Sequence, residues 1–106
     1  MAQFTVYFTP RSEEQILEAY NWGVEFWGEL EAQSWLRELY AAVFRRLAKF
    51  PLSCPIAPEN AETRNVIRQY IFGRYRVLFE IRKEVVLVLR LTGPYNLSAE
   101  GAMGSD

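Results

Sequence analysis

Across its 106 residues this chain has no histidine and one cysteine, Cys54. Without histidine the commonest general base and the commonest zinc ligand are gone. A lone thiol makes neither an internal disulfide nor a thiolate metal site, so the chain is expected in the reducing cytoplasm. No uncharged apolar run approaches the roughly 20 residues that cross a bilayer. The opening Met-Ala-Gln-Phe-Thr-Val lacks the basic start and long apolar core of a secretory signal, so no membrane partner is expected. Glycine-rich phosphate loops, paired metal-binding carboxylates and internal repeats are missing too, which leaves no expected metal or cofactor. Any chemistry must rest on Arg, Lys, Glu, Asp, Tyr, Ser or Thr.

What the chain does have is apolar bulk: 50% of its residues are hydrophobic and 15% aromatic, enough for one packed domain. That domain is expected over residues 1–93, with 94–106 a fraying tail that lacks an apolar pattern. The net charge of −1 conceals a polarised distribution. Residues 1–63 carry five basic and nine acidic side chains, or −4, whereas residues 64–90 carry seven basic and two acidic, or +5. Such polarity bears on partners and not on fold.

Phe4–Phe8 alternates as a short strand and ends at Thr9-Pro10, a threonine cap followed by proline at the first helical position. Ser12 with Gln15 offers a competing cap. Ile16, Tyr20, Gly23 or Val24, and Trp27 recur at helical spacing, and Gly28 is a break. A second helix is expected from about Ala32 to Lys49, with Leu36, Tyr40, Val43, Leu47 and Phe50 on one stripe, widened by Trp35, Leu39 and Phe44. Residues 51–65 hold three prolines and read as a crossing loop. Three strands follow, about Val66–Phe72, Tyr75–Arg82 and Val85–Thr92, joined by tight turns at Gly73-Arg74 and Lys83-Glu84 into an antiparallel meander. Apolar residues at mostly odd positions, from Ile67 through Val77 and Phe79 to Val85, Leu87, Leu89 and Leu91, are expected to form its core face. Together these elements give an α+β fold: an N-terminal strand, an antiparallel helical hairpin and a three-stranded antiparallel meander, in one sheet with both helices on one face.

This layout, with Phe50–Asn60 reading FPLSCPIAPEN and Val66–Ile81 reading VIRQYIFGRYRVLFEI, resembles the RelE/ParE toxin superfamily and its ParE-like branch, over about Phe4 to Gly93. The resemblance implies the toxin of a bacterial type II toxin–antitoxin system, a growth inhibitor neutralised by a cognate antitoxin and reaching operator DNA only through it. Members of the superfamily divide by target. RelE-like toxins cleave messenger RNA on the ribosome, and for that chemistry Arg76 matches the strand arginine that contacts phosphate, with Arg68 a second phosphate ligand and Tyr95 a proton donor. ParE-like toxins poison DNA gyrase. The nuclease branch places lysines where this chain has Ile67 and Gln69, and basic residues where it has Gly93-Pro94-Tyr95. Those departures, and an isoelectric point of about 5.5 in a protein that would have to bind a polyanion, favour the gyrase branch. That branch commonly carries a His or Arg near the end of its last strand; Arg90 and then Thr92 stand there.

Candidate target- or antitoxin-binding residues are Arg74 and Arg90 in the basic meander and Trp22, Trp27 and Trp35 on the hairpin. Each has a plainer reading: the tryptophans as core, the arginines as the solvent side of a sheet paired with Glu80 and Glu84. A strand glutamate flanked by arginines, Glu80 reads as an ion-paired carboxylate and not as a base. A toxin that only binds its antitoxin is the third reading.

Overall fold

The computed structural model describes residues 3–59 and 65–93. Strand β1 (Thr5–Phe8) leads into helix α1 (Pro10–Trp27) and helix α2 (Glu29–Leu47), then a short 3-10 turn at Pro51–Ser53. Strands β2 (Arg68–Phe72), β3 (Tyr75–Arg82) and β4 (Val85–Thr92) complete one four-stranded sheet in the order β1-β4-β3-β2. The meander is antiparallel and β1 joins its β4 edge in parallel, Thr5 beside Val85 through Phe8 beside Val88. Parallel pairing is open to β1 because the whole hairpin crosses over before the chain returns.

Of the two possible caps for α1 the structure uses Thr9. Its hydroxyl accepts from the Ser12 N–H at 3.2 Å, and Pro10 occupies the first turn. Helix α2 begins at Glu29, three residues before the expected Ala32, because Gly28 at φ +96° reverses the chain alone. On the inner side of the hairpin Gly23 faces Ala32, and a Cβ at Gly23 would lie 3.0 Å from the Trp27 ring, which packs over the glycine. Ile16 and Ala19 from α1 and Leu39, Val43 and Leu47 from α2 then pack on Val77, Phe79, Val86, Val88 and Leu91. Phe44 and Phe50, expected on the buried stripe, are exposed.

Strand β2 starts at Arg68 and not at Val66, since the chain just before it pairs outward with the proline-rich loop. The Ala57 N–H donates to the Ile67 carbonyl at 2.8 Å and the Gln69 N–H to that of Pro55 at 2.9 Å. In β4 the odd-position rule fails over its first half. Val86 and Val88 face the helices while Leu89 packs with Ala57, Ile67 and Leu78 on the opposite side of the sheet. The register explains this: Phe79 lies opposite Val88 but Leu78 lies opposite Arg90, so Leu89 is an extra residue, a β-bulge. Beyond it Leu91 returns to the core and Arg90 faces outward.

Helix α1 is stitched to that bulge. The Thr9 N–H and hydroxyl both donate to the Val88 carbonyl, at 3.1 and 2.9 Å, the hydroxyl also lies 3.3 Å from the Leu89 carbonyl, and Gln15 Oε1 accepts from the Leu91 N–H at 2.9 Å. Thr9→Val keeps the shape but removes both the cap and the donor. It is expected to cost about 2 kcal/mol and lower the midpoint of thermal unfolding by about 10 °C, with Thr9→Ser close to wild type.

Candidate functional site

Directly opposed residues on antiparallel strands share a face, so the register sorts the arginines. Arg76 lies between Ile71 and Thr92 and shares the helix-free face of the sheet with Leu78 and Arg90. Arg68 lies opposite Phe79 and therefore emerges on the other face, at the sheet edge, where its Nη1 donates to the Cys54 carbonyl at 2.7 Å. The two proposed phosphate ligands do not converge. Arg74 is exposed in the β2–β3 turn, and Tyr95, like Arg64 and the expected tail, lies outside the described residues.

Arg76 is held by two partners that sequence reasoning missed. Glu59, from the proline-rich loop, faces it with both oxygens, Oε1 3.2 Å from Nη1 and Oε2 2.6 Å from Nη2, and Gln69 Oε1 accepts from Nη1 at 2.8 Å. The pair is partly shielded, with side chains 32% and 24% exposed. Hydrogen bonding from Arg76 pulls the Glu59 carboxyl below its ordinary range, more than burial raises it, with the field of Arg90 acting in the same direction. Glu59 in turn raises the Arg76 guanidinium. Gln69 was visible as a departure from the nuclease pattern, but Glu59 sits 17 residues from Arg76 with no local signal joining them.

Elsewhere on β3, Glu80 is buried and ion-paired with the exposed Arg82, as its sequence setting implied. A groove of about 340 Å³ opens beside them, lined by Leu52, Asn65, Val66, Arg68 and Ile81 as well. Cys54 is buried, and burial raises its thiol despite nearby Arg46 and Arg68, which leaves little nucleophilic thiolate. Among the described residues no group of His, Cys, Asp or Glu could hold a metal ion, and no helix is long and apolar enough to cross a membrane.

The tryptophans gather on the hairpin, and none is fully buried. Trp35 leans on Tyr75 at the core margin, their ring centres 5.2 Å apart. Trp22 stacks on Phe26 at 4.6 Å and meets Trp27 edge-on at 5.4 Å. Phe26 is 62% and Leu30 81% exposed, so the hairpin tip presents aromatic and aliphatic surface to solvent. Beside it Trp27, Glu31, Ser34, Trp35 and Glu38 line a groove of about 510 Å³. Its lining is aromatic and acidic.

A family model described as the ParE toxin of the type II toxin–antitoxin system parDE matches residues 6–92. The chain belongs to the ParE toxin family. It is therefore the toxin component of a type II toxin–antitoxin system, which implies an antitoxin partner. A chain of the chromosomal ParDE system from P. aeruginosa superposes on this ParE-family toxin with a TM-score of 0.71 at 13% identity, over 85% of this chain and 95% of that one. At that identity the likeness is one of fold. No curated protein matches.

In this ParE-family toxin the Glu59–Arg76 pair sets a pH dependence. A carboxyl whose folded pKa lies below its ordinary 4.5 stabilises the fold above that value, and the contribution is lost as pH falls through the lowered one. From about pH 5 into stronger acid, urea unfolding of wild type is expected to lose about 1 kcal/mol more than that of Glu59→Gln; equal slopes would show that the pair adds no stability.

Proposed function

We propose that this toxin inhibits growth by acting on DNA gyrase and is neutralised when its antitoxin covers the helical hairpin. The state of Arg76 carries the target assignment. RNA cleavage by attack of a 2′-hydroxyl needs a cation free to meet the phosphate, a group to take the proton and one to give a proton to the leaving oxygen. Here the strand arginine is engaged by a carboxylate and an amide oxygen, and Arg68 lies across the sheet. A toxin that works by binding a protein target needs none of that constellation, and membership of the ParE family supports the same reading. Arg74 and Arg90, on the exposed side of the meander, are the proposed contacts for the target.

For the antitoxin the hairpin offers what a folding-on-binding segment uses: exposed aromatic anchors next to a groove. Glu31 and Glu38 in that groove favour a segment whose apolar residues alternate with Lys or Arg. Trp27, 45% exposed, is an anchor outside the buried core cluster. Trp27→Ala is expected to weaken antitoxin binding by about 2 kcal/mol, or about 30-fold, in titration calorimetry.

The target assignment is tested with purified toxin and gyrase. Loss of supercoiling and accumulation of cleaved DNA–gyrase complex are expected, and added antitoxin should reverse both. Unaffected supercoiling, with message cut on translating ribosomes, would overturn the assignment; inactivity in both assays would leave a toxin that only binds its antitoxin.

A further inference from the structure

On the open face of the sheet the central arginine already holds an anion, and that anion is part of the chain. Glu59 offers both carboxylate oxygens to the two Nη atoms of Arg76, at 3.2 and 2.6 Å. This is the fork in which a guanidinium holds a carboxylate or a phosphate. Gln69 Oε1 takes a further bond from Nη1 at 2.8 Å, so that nitrogen is shared between two acceptors. Arg90 faces the same side of the sheet and its field reaches Glu59, so a second cation adds to the attraction that holds the carboxylate there.

Glu59 is also delivered there by construction. The loop that carries it is tied to β2 by the Ala57–Ile67 and Gln69–Pro55 backbone bonds, and Ala57 is buried against Ile67 and Leu78. A tethered carboxylate two residues beyond that anchor competes at a high effective concentration with any anion from solution. An incoming phosphate would have to displace it and then lie beside the displaced negative charge.

We propose that Glu59 is a specificity-determining residue, an internal anion that occupies the phosphate position on Arg76 and so keeps nucleic-acid backbones off the open face of the sheet. The inference concerns what this face rejects and does not rest on the gyrase assignment. It gives the proline-rich loop a role besides crossing from helix to sheet. A single residue then separates a nucleic-acid-binding surface from one reserved for protein.

The test is binding of a fluorescein-labelled polyuridine strand, followed by anisotropy over a series of salt concentrations, to the full chain and its variants. Glu59→Gln is expected to bind about tenfold tighter than wild type, because one charge-assisted contact is freed for phosphate. Its dependence of log affinity on log salt should steepen by about 0.7, the share of one more single-strand phosphate. Glu84→Gln makes the same change of net charge in the exposed β3–β4 turn and is expected to gain no more than about twofold, a screened long-range effect. The double variant Glu59→Gln/Arg76→Ala should fall back to wild-type affinity. No gain in Glu59→Gln, an equal gain in Glu84→Gln, or a gain that survives loss of Arg76 would each overturn the proposal. If Glu59→Gln does not fold, Glu59→Asp carries the test: a carboxylate one methylene shorter cannot span both Nη atoms from the same backbone position. A smaller gain is then expected, and unchanged affinity overturns the proposal.

Discussion

Strand β4 lies inside the sheet, between β1 and β3, and has to give the helices an apolar face along its whole length. Its sequence, VVLVLRLT, does not do this by alternation alone. Counting in twos from Val86 and Val88 would set Arg90 beneath the helices, where a desolvated charge costs several kcal/mol. The bulge at Leu89 removes the conflict by shifting the count once, so Leu91 follows Val88 into the core and Arg90 turns outward. Thr9, the cap of α1, and Gln15 within it then bind the backbone on either side of the bulge, which fixes where the first helix begins. The outward turn of Arg90 and the backbone groups that anchor α1 both depend on this one extra residue.

Two surfaces of opposite character result. The hairpin tip and its groove present tryptophan, phenylalanine, leucine and glutamate, and the open face of the sheet presents arginine. That separation turns the charge asymmetry of the sequence into geography. An acidic aromatic surface suits a basic, apolar partner, and the family assigns such a chain an antitoxin. The basic face is less available than its composition suggests, because Glu59 neutralises its central arginine. A net charge near zero over a polarised surface fits a protein that recognises other proteins better than one that grips a polyanion.

Much of the fold could be read from the sequence because its signals are local. Thr9-Pro10 marked the start of α1, Gly28 the break between helices, and Gly73-Arg74 and Lys83-Glu84 the two turns of the meander. The errors came where tertiary pairing overrode local pattern. The face of β4 depends on a bulge that its run of branched residues conceals, and the late start of β2 depends on bonds to the proline-rich loop. The site was less legible. Arg76 stood out through family resemblance, but that Arg68 faces the other way is a matter of register, and that Glu59 closes on Arg76 is a long-range contact across a loop. The tryptophans were visible as surplus aromatic bulk, although only packing shows that Trp35 leans on the core while Trp22 and Trp27 build the tip.

We propose that this ParE-family toxin acts on DNA topology and not on messenger RNA. The most direct measurement is induced expression of the chain alone in a bacterium, with parallel pulse labelling of DNA and protein synthesis. DNA synthesis should fall first, with filamentation of the cells. An early fall in protein synthesis, with DNA synthesis unaffected, would rule out gyrase as the target and return Arg76 to the role of a phosphate ligand.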